Sequence, residues 1–393
     1  MTSTLTYDVV VSGAGITGLA AAHTFANRGY KTLIVDREQS PNTTGQLGAD
    51  IRTVALSPVA TQQLQEFGVD LPSQKGSIDR MHVWESDGSS SITMTANEVD
   101  EPHLAFVYEN KGITTALKSR RHDGLEMNLD ARVTAVDPHV RSLEIDSIGD
   151  VQTELLIVAE GSTSSTCQLL GSSFEIDQDL QARAIATIVK TDTKHQNSAW
   201  QVFGPTPLAL LPLAEPNMLS LIWSLPMDVV AATMELPDSE FRGSLNQACE
   251  HVVGTVTDVD QRLSFPLRQR LIADFNPLPW VLILGDAAHT LHPLAGQGVN
   301  LGLEDVRAVE AVLCERPPRI NNPNLWRTFN AKRKLRAATM VQLMTFFSSI
   351  YAQESPYMRL IRNMGVRWVN DNKGLKRQLI REAMGIGRVA SVL

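Results

Sequence analysis

The stretch YDVVVSGAGITG, Tyr7 to Gly18, decides the fold. The apolar run from Tyr7 to Ser12 reads as a short buried strand that delivers the chain into Gly13-Ala-Gly15-Ile-Thr-Gly18. In such a motif the first glycine permits the tight turn, the second lets backbone approach a pyrophosphate, and the third lets helix and strand pack closely. Ile16 to Arg28 then reads as a helix, whose free N-terminal N–H groups and partial positive charge suit a phosphate. A second strand is expected from Lys31 to Val35. Asp36 follows it, 18 residues after Gly18, where a carboxylate can accept hydrogen bonds from a ribose diol. Strand, helix and carboxylate in register imply a βαβ unit that binds a dinucleotide. The motif alone does not choose between FAD and NAD, and its place at the start of the chain leans toward FAD.

Working outward, 393 residues exceed what one hydrophobic core usually supports, so two interleaved lobes are expected. With 43% apolar and 20% charged residues the composition is that of an ordinary globular protein rather than a disordered one. Cys167, Cys249 and Cys314 are far apart and form no CxxC, which argues for a reducing compartment and against a disulfide framework, a thiol-based reductase or a cysteine-ligated zinc site. No basic n-region precedes a long apolar stretch, and nowhere do about 18 uninterrupted apolar residues occur, so neither a signal peptide nor a spanning helix is expected. The reading is a cytoplasmic protein.

Further apolar runs, Leu155 to Ala159 and Trp280 to Leu284, end at Glu160-Gly161 and Gly285-Asp286 and look like strands delivering turns to one sheet edge. Between them, Ala182 to Lys190, Trp200 to Phe203, Leu208 to Leu211 and Leu219 to Leu225 fit a largely antiparallel sheet. After Asn300 the period becomes helical, first from Leu301 to Cys314 and then from Leu325 to about Tyr351. The expected class is α/β: a Rossmann-like nucleotide lobe (1–75, 106–175, 271–325), an inserted, mostly antiparallel substrate lobe (76–105, 176–270) and a helical basic tail (326–393). That tail, from Arg327, carries 13 Lys or Arg against three carboxylates, +10 in a chain of net charge −8. It reads either as a solvated helical surface or as a segment lying on an anionic membrane, where each nearby cation contributes about 1 kcal/mol. Met340 to Tyr351 is amphipathic and reads as buried helix in preference to lipid contact. No feature points to nucleic acid.

A second chemical segment is LGDAAHTLHPLAGQGVNLG, Leu284 to Gly302. Asp286 stands where a strand ends, and Gly296, Gln297 and Gly298 lead into a helix beginning near Val299, whose N–H groups can meet negative charge on a bound ring. His289 and His292 are three apart, but no third ligand stands at helical spacing and Pro293 interrupts any helix, so structural hydrogen bonding is expected and a metal is not. In the third segment, Asp50 to Leu56, Arg52 could clamp phosphate in bidentate fashion or simply be a surface arginine.

These residues resemble the FAD-dependent hydroxylases of ubiquinone biosynthesis, within the class of flavoprotein monooxygenases that includes para-hydroxybenzoate hydroxylase. The resemblance spans nearly the whole chain and rests on Gly13 to Gly18, the Asp-x-Arg-x-x-Ala-Leu stretch from Asp50, Leu208 to Leu213, Ile222-Trp223-Ser224, Phe265-Pro266-Leu267 and HTLHPLAGQGVNLGLED from His289. It implies FAD with its ADP end on Gly13, Gly15, Gly18 and Asp36, its pyrophosphate near Arg52, its ribityl chain at Asp286 and its ring along Gly298, Val299 and Asn300. Asn110 matches a polar position near the flavin. It further implies that reduced flavin captures O2 as a C4a-hydroperoxide, whose distal oxygen passes to the ring of a polyprenylated phenol. The pocket must then be dry, and Trp223 and Pro293 are expected to help close it. Membrane-surface contact through the tail and membership of a Ubi-type biosynthetic complex would suit such a substrate. The electron donor, NAD(P)H or a reduced ferredoxin-type protein, stays open, as does the catalytic base. One departure stands out: Glu160-Gly161 occupies a place where the class carries Asp-Gly, a position linked to FAD and nicotinamide handling. Two rival readings are a lipid-acting flavin reductase and a non-catalytic subunit of a ubiquinone-biosynthesis assembly.

Overall fold

Val9, Val10 and Val11 are fully buried and find parallel partners on both sides, Leu155 to Ile157 and Thr32 to Ile34, in a computed structural model of the chain. It describes residues 5–37, 43–86, 90–291, 297–315, 319–322, 324–351 and 356–387. Five strands run parallel in the order Leu125–Asn128, Thr32–Val35, Leu5–Ser12, Gly149–Val158 and Val281–Ile283. An antiparallel hairpin, Val133–Asp137 and Ser142–Ile145, extends the fourth. Both faces of this sheet are covered, which is why its strands are almost unbroken in apolar residues. On one face Ile16–Ala26 packs beside Gly298–Glu315, and the approach is close because Gly302 lacks a side chain: a Cβ there would stand 2.5 Å from Thr17 Oγ1. The first helix stops at Ala26, two residues short of the expected Arg28, because the chain unwinds through Asn27 into Gly29 at φ +82°.

The second sheet is mostly antiparallel. Its order is His289–Thr290, Leu263–Ile272, Phe174–Thr191, Met218–Pro226, Leu208–Pro212, Ser198–Phe203, Arg80–Glu85 and Ser91–Thr95, with Val256–Val259 also paired to Phe174–Thr191. Ser198–Phe203 and Arg80–Glu85 are the parallel exception. One face packs on Asp238–Ala248 through Trp223, Phe241 and Leu245, and the other faces a small sheet of Thr53–Leu56, Ala105–Glu109 and Gly76–Ile78. Three helices follow: Arg327–Tyr351, Pro356–Asp371 and Lys373–Ala383. The amphipathic stretch in the first divides, with Val341 and Met344 buried and Leu343 and Phe346 exposed. Among the described residues no helix is long and apolar enough to cross a membrane.

Candidate active site

Because the five strands are parallel, their C-terminal ends share one edge, and the turns after Ser12, Val35, Val158 and Ile283 gather there. Gly13 adopts φ +109° with its N–H on Val35 O at 2.8 Å, and a Cβ would lie 2.4 Å from Ala159 O. At Gly18 a Cβ would come within 1.9 Å of Gly13 O. Gly15 is different: its backbone is extended and nothing lies within 4 Å of where a Cβ would be. It begins helix Ile16–Ala26, whose first N–H groups receive no side-chain cap. Asp36 accepts the Ala14 N–H at 2.6 Å and borders a cavity of about 340 Å³ with Gly13, Arg37, Arg132 and Glu160. Open space over Gly15, an uncapped helix start and an adjacent carboxylate together fit a dinucleotide.

A larger cavity of about 430 Å³ lies between the sheets. Asp286, Gln297, Gly298, Val299 and Asn300 border it on the nucleotide side. Its remaining walls are chiefly apolar, with Val54, Met81, Leu211, Ile222 and Phe265 among them. Trp223 is not. In strand Met218–Pro226 side chains alternate, so Ile222, paired with Ala209, faces the cavity, while Trp223, paired with Leu208, packs on Phe241 in the core behind the sheet. The expectation that Trp223 helps close the cavity is therefore corrected: Trp223 lies behind the sheet and Ile222 is the residue of this strand that lines it. Pro293, Gly296 and His292 lie outside the described residues. Arg52 is exposed and its carbonyl accepts the Asn110 N–H at 2.8 Å, so the two are neighbours, but neither borders either cavity. Asn300 is committed: its Oδ1 accepts the Ser57 N–H at 2.9 Å and its Nδ2 donates to Ala55 O at 2.8 Å, leaving its backbone at the helix start to meet a ligand.

Behind Asp286 stands a buried charge network. Asp305, fully buried, accepts from Gly285 N–H (2.9 Å) and from Arg333 Nε (2.6 Å) and lies 2.7 Å from His289 Nε2. Arg333 and Arg336 both pair with Glu304. Burial works to raise the Asp305 pKa, but His289 and Arg333 overcome it and hold the carboxyl below its ordinary value. Among the described residues Asp286 has no such partner: its side chain opens onto the cavity it lines, and desolvation by the surrounding protein, aided by Asp305 and opposed by His289, pushes its carboxyl up. Asp305 closes the run HTLHPLAGQGVNLGLED but the sequence assigns it no role, and Arg333 is not singled out at all. The signal was present, since Asp305 interrupts the apolar face of Leu301, Val306 and Val309.

Glu160 is satisfied rather than idle. Its carboxylate accepts from Ser12 Oγ, Ser164 Oγ (2.7 Å), Thr166 N–H (2.9 Å) and Thr166 Oγ1 (2.6 Å), so the longer side chain ties the first strand to helix Ser165–Leu169. Burial acts to raise its pKa, but these bonds outweigh it and hold the carboxyl below the ordinary 4.5. A depressed carboxylate contributes stability that is complete above its unfolded-state pKa and disappears as pH falls through the folded one. Glu160→Gln is therefore expected to cost about 1–3 kcal/mol at neutral pH, with wild-type and variant urea midpoints converging well below pH 4.5. A gap that stays constant into acid would show that the charge is irrelevant.

Comparison with known proteins completes the site. Residues 6–344 match the FAD binding domain family. The chain is 26% identical to 3-demethoxyubiquinol 3-hydroxylase of Escherichia coli (strain K12), over 96% of this chain and 98% of that one. It is 27% identical to ubiquinone hydroxylase UbiL of Rhodospirillum rubrum, over 96% and 89%, and 26% identical to the mitochondrial ubiquinone biosynthesis monooxygenase COQ6 of Mus musculus, over 95% and 90%. The fold is similar to that of p-nitrophenol 4-monooxygenase from Pseudomonas putida DLL-E4, with a TM-score of 0.79 at 19% identity over 98% of this chain and 100% of that one.

Proposed function

This chain belongs to the FAD binding domain family and is an FAD-dependent monooxygenase, and we propose that it hydroxylates the ring of a polyprenylated phenol in ubiquinone biosynthesis. One observation carries the reading: the cavity of about 430 Å³ joins a chiefly apolar chamber to the uncovered backbone of Gly298 and Val299 and to Asp286. Its volume is within the usual range for small-molecule sites, roughly 300–1,000 Å³.

In this proposal Gly13, Gly15, Gly18 and Asp36 hold the ADP end of FAD, Asp286 takes a ribityl hydroxyl, and Gly298, Val299 and Asn300 border the ring through their backbone. Bound FAD supplies the redox chemistry that activates O2 for insertion of one oxygen atom. The chain's own contribution is to fix and to exclude. The start of helix Gly298–Glu315 offers N–H donors and its positive end to negative charge on the ring. Asp286 borders the same chamber and places its carboxyl where a ribityl hydroxyl can meet it. Ile222, Leu211 and Phe265 keep water from the reacting atoms.

The test is isotopic. Holoenzyme given a reductant, a phenol with a short isoprenoid chain and 18O2 should return a product whose new ring hydroxyl carries the label. Reductant consumption with no label in product would favour the flavin reductase reading, and colourless protein that takes up no flavin would favour the non-catalytic one. Glu160, the one departure from the class pattern, is fully accommodated by its hydrogen bonds.

A further inference from the structure

The family match ends at residue 344, yet one wall of the large cavity comes from beyond it. Ile380, Ala383 and Met384, at the end of helix Lys373–Ala383 and just after it, line the chamber opposite residues of the sheets. Ile380 and Met384 are buried, whereas Ala383 is exposed into the space it borders.

This helix is held in place by charge. Lys376 Nζ, on a side chain only 9% exposed, lies 2.7 Å from Glu98 Oε1, Arg377 pairs with Asp100, and Asn372 Oδ1 caps the first turn by accepting the Leu375 N–H at 3.0 Å. Burial opposes ionisation of Glu98, but its bonds to Lys376 and Thr95 prevail. At its other end the Ala383 carbonyl accepts from Gln297 Nε2 at 3.4 Å, and Gln297 immediately precedes the helix start that borders the chamber. One short helix thus touches both the apolar wall and the residue leading into Gly298.

We propose that helix Lys373–Ala383 is the specificity wall of this enzyme, with Ile380, Ala383 and Met384 setting how bulky an apolar substituent on the phenol can be. The inference rests on the chamber being the phenol site. A side chain added at Ala383 takes volume from the chamber, and one removed at Met384 returns it, while the Ala383 carbonyl that meets Gln297 and the residues assigned to the flavin are not substituted.

Oxidised, FAD-loaded enzyme is titrated with para-ethylphenol and para-octylphenol, following the flavin absorbance change on binding. Ala383→Phe should weaken para-octylphenol relative to para-ethylphenol by about tenfold or more, and Met384→Ala should move the ratio about tenfold the other way, the scale of discrimination a methylene or two confers in an apolar pocket. Ala383→Phe decides the matter alone if Met384→Ala does not fold. An unchanged ratio in the folded variants overturns the wall. If neither phenol perturbs the wild-type flavin, the phenol reading itself fails and takes the wall with it.

Discussion

Asp305→Ala is expected to remove about 3–5 kcal/mol of stability, the usual result of deleting one partner of a buried charge pair. Arg333 would keep its charge with one carboxylate contact left, the longer one to Glu304, which it shares with Arg336, and the Gly285 N–H and His289 Nε2 would lose the oxygen they share. Against a total of roughly 5–15 kcal/mol for a folded protein, such a loss is large. It should appear as a fall in the urea midpoint and, because Gly285 sets the turn that presents Asp286, as poor retention of FAD. Asp305→Leu combined with Arg333→Met removes both charges and should recover the part of the loss due to the uncompensated arginine, leaving that due to the Gly285 N–H and His289. A single alanine variant within about 1 kcal/mol of wild type would mean the network is ornamental, since surface substitutions cost no more.

The second large effect is confined to the cofactor. Gly15→Val leaves the protein room to fold, because the backbone there is extended and nothing lies within 4 Å of the new Cβ. Loss of glycine as helix cap costs only about 1 kcal/mol. The added methyl groups occupy the space through which backbone would reach a pyrophosphate, so FAD affinity should drop about 100-fold or more, near 3 kcal/mol. Protein purified with wild-type thermal stability but little bound flavin is the expected result. A fully yellow variant would place the diphosphate elsewhere. Gly18 gives the contrasting case, since a Cβ there collides with Gly13 O and damages the fold itself.

Much of the architecture was legible because it depends on local pattern. Tyr7 to Gly18 specified strand, turn and helix at once, and two further strands reaching the same sheet edge were read from runs ending in glycine and a carboxylate. The errors occurred where a long-range partner decides. In Leu219 to Leu225 alternation puts Trp223 with three leucines and Ile222 with Ser220 and Ser224, but nothing local says which of the two faces meets the chamber and which the helices behind. Asp305 is explained by Arg333, 28 residues on, and Lys376 by Glu98 in the opposite half of the chain. Glu160 could be flagged as unusual, but the hydroxyls of Ser12, Ser164 and Thr166 that suit its length meet only in the folded protein.

The link from Asp305 to Arg333 also bears on biogenesis. The nucleotide edge begins at Ser12 but is complete only when Val281–Ile283 has joined the sheet and the arginine has left the ribosome to neutralise that aspartate. Nascent chains holding only the amino-terminal βαβ unit own the glycine loop without the rest of the edge. Flavin capture is then a late event, after nearly all of the polypeptide has been synthesised, and the partly made protein must wait with its parallel sheet open to misassociation.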